Sequence, residues 1–180
     1  APSLIPMRPG VQRKHDKRDA ADLARFYRAG ELVVVRIPSE AEERVRDVVR
    51  CRETFQREIL KSRHYILKFL ARRGFVFREG TNWCTPHLRW LQHLTTDGSP
   101  LAPHDRLVYR EYHALLLYKL QRREELDRQI EQLALLPTLA PMVRRLQCFR
   151  GISLHSAMVP ATEIVDWRRF DHPRKLACYL

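Results

Sequence analysis

Asp16 and Asp19 stand three residues apart in the run Arg13-Lys14-His15-Asp16-Lys17-Arg18-Asp19-Ala20-Ala21-Asp22-Leu23-Ala24, inside a cluster of four Lys/Arg. Residues at i and i+3 share a helix face, so this spacing aims two carboxylates at one point. A hard divalent cation takes converging oxygen ligands. The flanking cations, Lys14 and Arg18 among them, suit a nucleic-acid phosphate. Metal-assisted phosphodiester chemistry needs both together. The same residues also have a plainer reading. Asp is a common helix N-cap, and acids are stabilised in a first helical turn by the macrodipole. Asp22 continues the spacing, so three acids compete for two roles. Two carboxylates are too few for a two-metal site. Spacing alone favours capping and solvated charge.

The elements that would position these acids are mostly helical. Asp16 to Ala29 predicts a helix with Ala20, Leu23, Ala24 and Tyr27 on its apolar side. Leu32 to Ile37 is short and β-branched, which predicts a strand ended by Pro38. A second helix is expected over about Glu40–Arg73, closed by Gly74. Val45, Val48, Phe55, Ile59, Ile66 and Phe69 keep an a/d heptad there, interrupted by Arg52 and Ser62. A long helix is expected over about Asp105–Leu136. Tyr112, Leu116, Leu126, Ile130 and Leu133 form its seam, broken by Lys119 and Arg123. The two seams predict an antiparallel hairpin, with dimerisation through them as the competing option. Between them, Trp83, His87, Trp90 and Leu91 predict aromatic packing ahead of base stacking.

Pro137 and Pro141 mark a boundary. Beyond it a helix to about Phe149, the turn Gly151-Ile152-Ser153 and a helix toward Trp167 resemble a helix-hairpin-helix. In that motif a Gly-rich turn brings backbone amides against a DNA phosphate, which makes Arg150 and Gly151 candidate nucleic-acid contacts. Ser153 stands where a second Gly is usual, and an ordinary helical turn explains the same residues.

Composition narrows the class. The chain has 180 residues and a net charge of +12, which points to a polyanionic partner. No apolar run approaches the roughly 20 residues of a spanning helix, so no membrane is expected. Cys51, Cys84, Cys148 and Cys178 are dispersed, without a CxxC pair. They predict reduced, mostly buried thiols in a cytoplasmic protein. Cys84 and His87 have zinc-ligand spacing with His93 near, but the local sequence offers no fourth ligand.

The order of these segments resembles a known family. Lys14-His15-Asp16-x-x-Asp19-Ala20 is followed by Ala29-Gly30-Glu31-Leu32, Val33-Val34-Val35-Arg36-Ile37-Pro38 and Arg46-Asp47-Val48-Val49-Arg50-Cys51-Arg52. Leu146-Gln147-Cys148-Phe149-Arg150-Gly151-Ile152-Ser153 and Glu163-Ile164-Val165-Asp166-Trp167-Arg168-Arg169-Phe170 stand far downstream. This looks like the bacterial insertion-sequence transposases with a DEDD-type catalytic domain, the bridge-RNA-guided recombinases, to which pilin-gene invertases are related. The family pattern is Lys-Thr-Asp-x-x-Asp-Ala, so His15 replaces a Thr and both acids are kept.

The resemblance implies a mainly α chain in three parts. Residues 1–38 would end an RNase H-like α/β domain. Residues 39–136 would form a coiled-coil helical hairpin, and 137–180 would start a helical C-terminal transposase domain. It implies metal-dependent DNA cleavage and rejoining in transposition or site-specific recombination. Asp16 and Asp19 would be catalytic Mg2+ ligands. The partners would be DNA, a guide RNA and further copies of the chain, in a bacterial cytoplasm. The family's first Asp and Glu are expected upstream of Ala1 and its Ser nucleophile downstream of Leu180. The chain then reads as an internal fragment, inactive alone, in which Ser153 and Ser156 are not the nucleophile. A non-catalytic basic coiled-coil module that binds nucleic acid is the alternative.

Overall fold

A computed structural model describes residues 15–32 and 36–179. The protein is mainly α: seven α-helices and one 3-10 turn, with no strand among the described residues. The chain divides into two units between Ser39 and Glu40. The first holds α1 (Asp16–Arg28). Its expected apolar side is not buried. Ala20, Leu23 and Ala24 are exposed, Tyr27 is 79% exposed, and Phe26 is the buried residue. Phe26 carries the larger purely apolar surface, whereas Tyr27 keeps a polar tip suited to water. The expected strand at Leu32–Ile37 has its centre, Val33–Val35, outside the described residues, and so does Lys14.

The second unit is built on α2 (Glu40–Ala71) and α4 (Pro103–Leu133), linked through α3 (Thr85–His93). Gly74, at φ +80, takes the left-handed conformation that stops α2. The two long helices run antiparallel. Near the linked end Ile66, Phe69 and Leu70 of α2 pack with Tyr109 and Leu116 of α4. At the other end Val49 packs with Ile130 and Ala134. The helix α3 closes the linked end with Leu91 and Leu94, and Tyr109 Oη donates to the Leu91 carbonyl at 2.7 Å. That bond satisfies the one polar atom of a fully buried side chain.

The residues that interrupt the two heptads face each other. Lys119 Nζ donates to Ser62 Oγ at 2.9 Å and lies 3.3 Å from Glu58 Oε2. Arg52 Nε donates to Asp127 Oδ1 at 2.8 Å, and Arg123 donates to Gln56 Oε1 at 3.3 Å. A slip of one helical turn would leave these half-buried groups without partners, so they fix the register of the hairpin.

The chain then returns to the open end of the hairpin. The helices α5 (Ala140–Gln147) and α6 (Leu154–Ile164) bring Val143, Ala157, Met158 and Ala161 into one core with Val49 and Ile130. Buried Arg46 donates from Nε to the Thr162 carbonyl at 3.1 Å. Arg50 forks onto Glu163, with bonds of 2.7 and 2.9 Å. Residues 140–164 therefore share a core with the hairpin instead of standing off it. The expected run toward Trp167 stops at Ile164. Val165 then turns at φ +57, before a 3-10 turn at Trp167–Arg169 and α7 (Pro173–Tyr179).

Candidate functional site

Asp16 opens α1 and Asp19 completes its first turn. His15 occupies the N-cap in an extended conformation and its side chain makes no capping bond. Its carbonyl accepts from the amides of Arg18 and Asp19 at 2.9 and 3.0 Å. Neither Asp is thus the cap. The helix sets both on one face, Asp16 exposed and Asp19 half-buried. Asp22 is committed differently, in an ion pair with Arg25 at 3.0 Å. Lys17 and Arg18, between the two acids in sequence, are exposed. Among the described residues no group of three His, Cys, Asp or Glu side chains converges to hold a metal. The pair is therefore an open two-carboxylate face at the positive end of a helix dipole, with Lys17 and Arg18 on the other side of the same turn.

Arg150 and Gly151 lie in the second unit, in the turn between α5 and α6, away in sequence from α1. Arg150 is exposed, and Gly151 takes φ +89, with nothing within 4 Å of where a Cβ would sit. Ser153 caps α6, its Oγ accepting from the Ser156 amide at 3.2 Å, and the two hydroxyls lie 3.0 Å apart. Ser153 is thus an N-cap with its lone pair in use. No His or Lys hydrogen-bonds either hydroxyl among the described residues.

The aromatic segment is a packed box. His87 is fully buried, with Phe77 and Trp83 ring centroids at 5.0 and 5.2 Å and Trp90 at 5.6 Å. Its Nδ1 accepts from the Trp83 amide at 2.8 Å, which holds Trp83 at φ +70. Burial pushes the His87 pKa below the usual imidazole value. Among the described residues no group of three His, Cys, Asp or Glu side chains that could hold a metal gathers around Cys84 and His87. The expectation of mostly buried thiols is corrected: Cys51 and Cys148 are exposed, and Cys84 is half-buried. Cys51 lies on the solvent face of α2, Cys148 caps the end of α5 with its Sγ donating to the Arg144 carbonyl at 3.4 Å, and the Cys178 side chain lies outside the described residues.

Sequence reasoning missed Arg63. Its guanidinium lies 4.9 Å from the Trp83 ring, and burial lowers its pKa. Its place in α2 beside the seam gave no signal, because its partner lies beyond the helix.

Comparison with known proteins finds similarity to two proteins named as transposases. It is 34% identical to y4qE of Sinorhizobium fredii, a protein that carries a transposase name, over all of this chain and 42% of that protein. It is 28% identical to the transposase for insertion sequence element IS1533 of Leptospira borgpetersenii, over 99% of this chain and 52% of that protein. The chain spans about half the length of these relatives. No protein-family model and no solved structure matches it.

Proposed function

We propose that these 180 residues are the part of an insertion-sequence transposase that grips DNA and contributes two carboxylates, Asp16 and Asp19, to its metal-dependent strand cleavage. The observation that carries the reading is the open carboxylate pair on the first turn of α1, within a chain similar from end to end to two transposases. Residues 1–38 then belong to an RNase H-like domain, 39–136 to a coiled-coil hairpin, and 137–180 to the start of a C-terminal transposase domain. A guide RNA and further copies of the chain complete the assembly.

The pair fits half of a magnesium site. Mg2+ takes six oxygens, usually one or two carboxylates with waters and phosphate oxygens, so two acids suffice to recruit it but not to enclose it. Bound there, the ion would neutralise charge on the phosphodiester under attack. The remaining work falls to the chain itself. Lys17 and Arg18, on the other side of the same helical turn, supply the positive charge that attracts the DNA backbone to this end of α1. Arg150 supplies a second phosphate contact, and the absence of a Cβ at Gly151 leaves its backbone open to one. Titration with Mn2+, followed by electron paramagnetic resonance, tests the pair. One weakly held ion is expected in the wild-type chain, weakened tenfold or more by Asp16→Asn or Asp19→Asn. Equal binding in all three proteins would contradict the assignment.

A further inference from the structure

Between Glu58 and Glu79 the chain carries no acid and six Lys/Arg. Most of that stretch is the second half of α2. Helical spacing gathers Arg57, Lys61, His64, Lys68 and Arg72 into one row, about 80° wide, and all five are exposed. The row covers four turns, roughly 22 Å at ~1.5 Å per residue. Little of its charge is spent within the protein. Lys61 bonds Glu58 at 2.7 Å, and Arg57 donates to Thr54 Oγ1 at 3.1 Å. Among the described residues, no hydrogen bond or ion pair engages the side chains of His64, Lys68 or Arg72.

The other long helix of the same hairpin shows what solubility alone requires. The exposed face of α4 mixes signs: Arg128 pairs with Glu124 at 2.8 Å and with Glu125 at 3.3 Å, and Arg110 pairs with Asp97 at 2.9 Å. Mixed charge keeps a surface helix solvated. A row of one sign repels itself and is stabilised only by an anionic partner.

We propose that this row of α2 is a track for the phosphate backbone of duplex DNA, separate from the acids of α1 and from the α5–α6 turn. It rests on the reading of the chain as a DNA-handling protein. Charge complementarity names the occupant: the duplex carries one negative charge per ~1.7 Å of its axis, a continuous partner for a straight cationic row. Long, flexible Lys and Arg side chains on a straight helix contact phosphates without selecting bases, so the track sets grip and orientation rather than sequence. Tyr65, exposed beside the row, leans toward Tyr112 with centroids 6.4 Å apart, which makes it a wall of the track instead of a free stacking platform.

The test compares two charge-matched triple variants of the whole chain. One is Lys61→Gln, Lys68→Gln, Arg72→Gln; the other is Arg110→Gln, Arg122→Gln, Arg128→Gln on α4. Gln keeps helix propensity at exposed positions, so both should melt like the wild type. Duplex affinity is measured by fluorescence anisotropy from about 50 to 250 mM salt. The α2 variant should lower the slope of log affinity against log salt by about 2 to 3, and the α4 variant by less than about 1. Equal slopes in the two variants would overturn the track while leaving the transposase reading intact. No duplex binding by the wild type would overturn both. Loss of polyglutamate binding in the α2 variant, with duplex binding unchanged, would overturn the track in favour of an acidic protein surface.

Discussion

Asp127 shows how much the hairpin asks of single side chains. Its carboxylate accepts from Arg52 at 2.8 Å and lies 3.5 Å from Arg123 and 3.4 Å from His155 Nε2. Asp127→Ala removes the acceptor these half-buried donors share, leaving Arg52 only Glu53 and Arg123 only Gln56, so it should cost about 1–3 kcal/mol. A lower urea midpoint with an unchanged m-value is the expected reading. His87 and His113 make a second prediction. Burial pushes both pKa values below the ordinary imidazole range. The unfolded chain therefore binds protons first as pH falls, and stability that is complete above about pH 6.5 is lost as pH drops toward the folded-state values. The melting temperature should fall between pH 7.5 and 5.5, and the fall should shrink in a His87→Gln, His113→Gln variant. At this scale the sequence was partly legible. The spacing of Asp16 and Asp19 reads as one helix face, and the helix that reading needs, α1, begins at Asp16. What the pair is for was not legible, because two acids on a first helical turn fit the helix dipole as well as they fit an ion. Exposure of Cys51 and Cys148 was misread, since a thiol carries no pattern of its own and its burial depends on what happens to pack over it.

Among the elements, periodicity carried the most information. Both heptad helices exist, and their seams pack antiparallel with Ile59 and Ile130 each 1% exposed. Ile59→Ala and Ile130→Ala should each cost about 2–5 kcal/mol, through lost burial and the cavity left behind. Chemical denaturation of the two variants checks this, and unchanged midpoints would mean that the seams are not the core. Arg52, Ser62, Lys119 and Arg123 were visible as interruptions of the heptads, but their partners across the seam, Lys119 with Ser62, Arg52 with Asp127 and Arg123 with Gln56, were not. A one-dimensional pattern shows that a seam is broken. Only the register of two helices shows that the breaks meet. The same limit explains α1, where helical spacing found the element but chose Tyr27 over Phe26 for its buried side. A single short helix does not say which of its faces the rest of its unit covers.

At the scale of the whole molecule, the net charge of +12 is distributed unevenly. Ion pairs hold α2 to α4 and to α6, whereas the solvent row of α2, and Lys17 and Arg18 of α1, are exposed to an anion. Among the described residues no helix is long and apolar enough to cross a membrane. The central claim is that Asp16 and Asp19 meet DNA through a shared divalent ion, and it makes a prediction of sign. Without divalent metal the two carboxylates repel the phosphates that Lys17 and Arg18 attract, so an Asp16→Asn, Asp19→Asn variant should bind duplex DNA more tightly than the wild type. With Mn2+ at matched ionic strength the order should reverse, because the wild type alone gains an ion that couples protein to phosphate. Duplex affinity of the two proteins, measured with and without Mn2+, is the most direct test. Crossing of the two affinities is the predicted result, and an equal response of both proteins to Mn2+ would contradict the account.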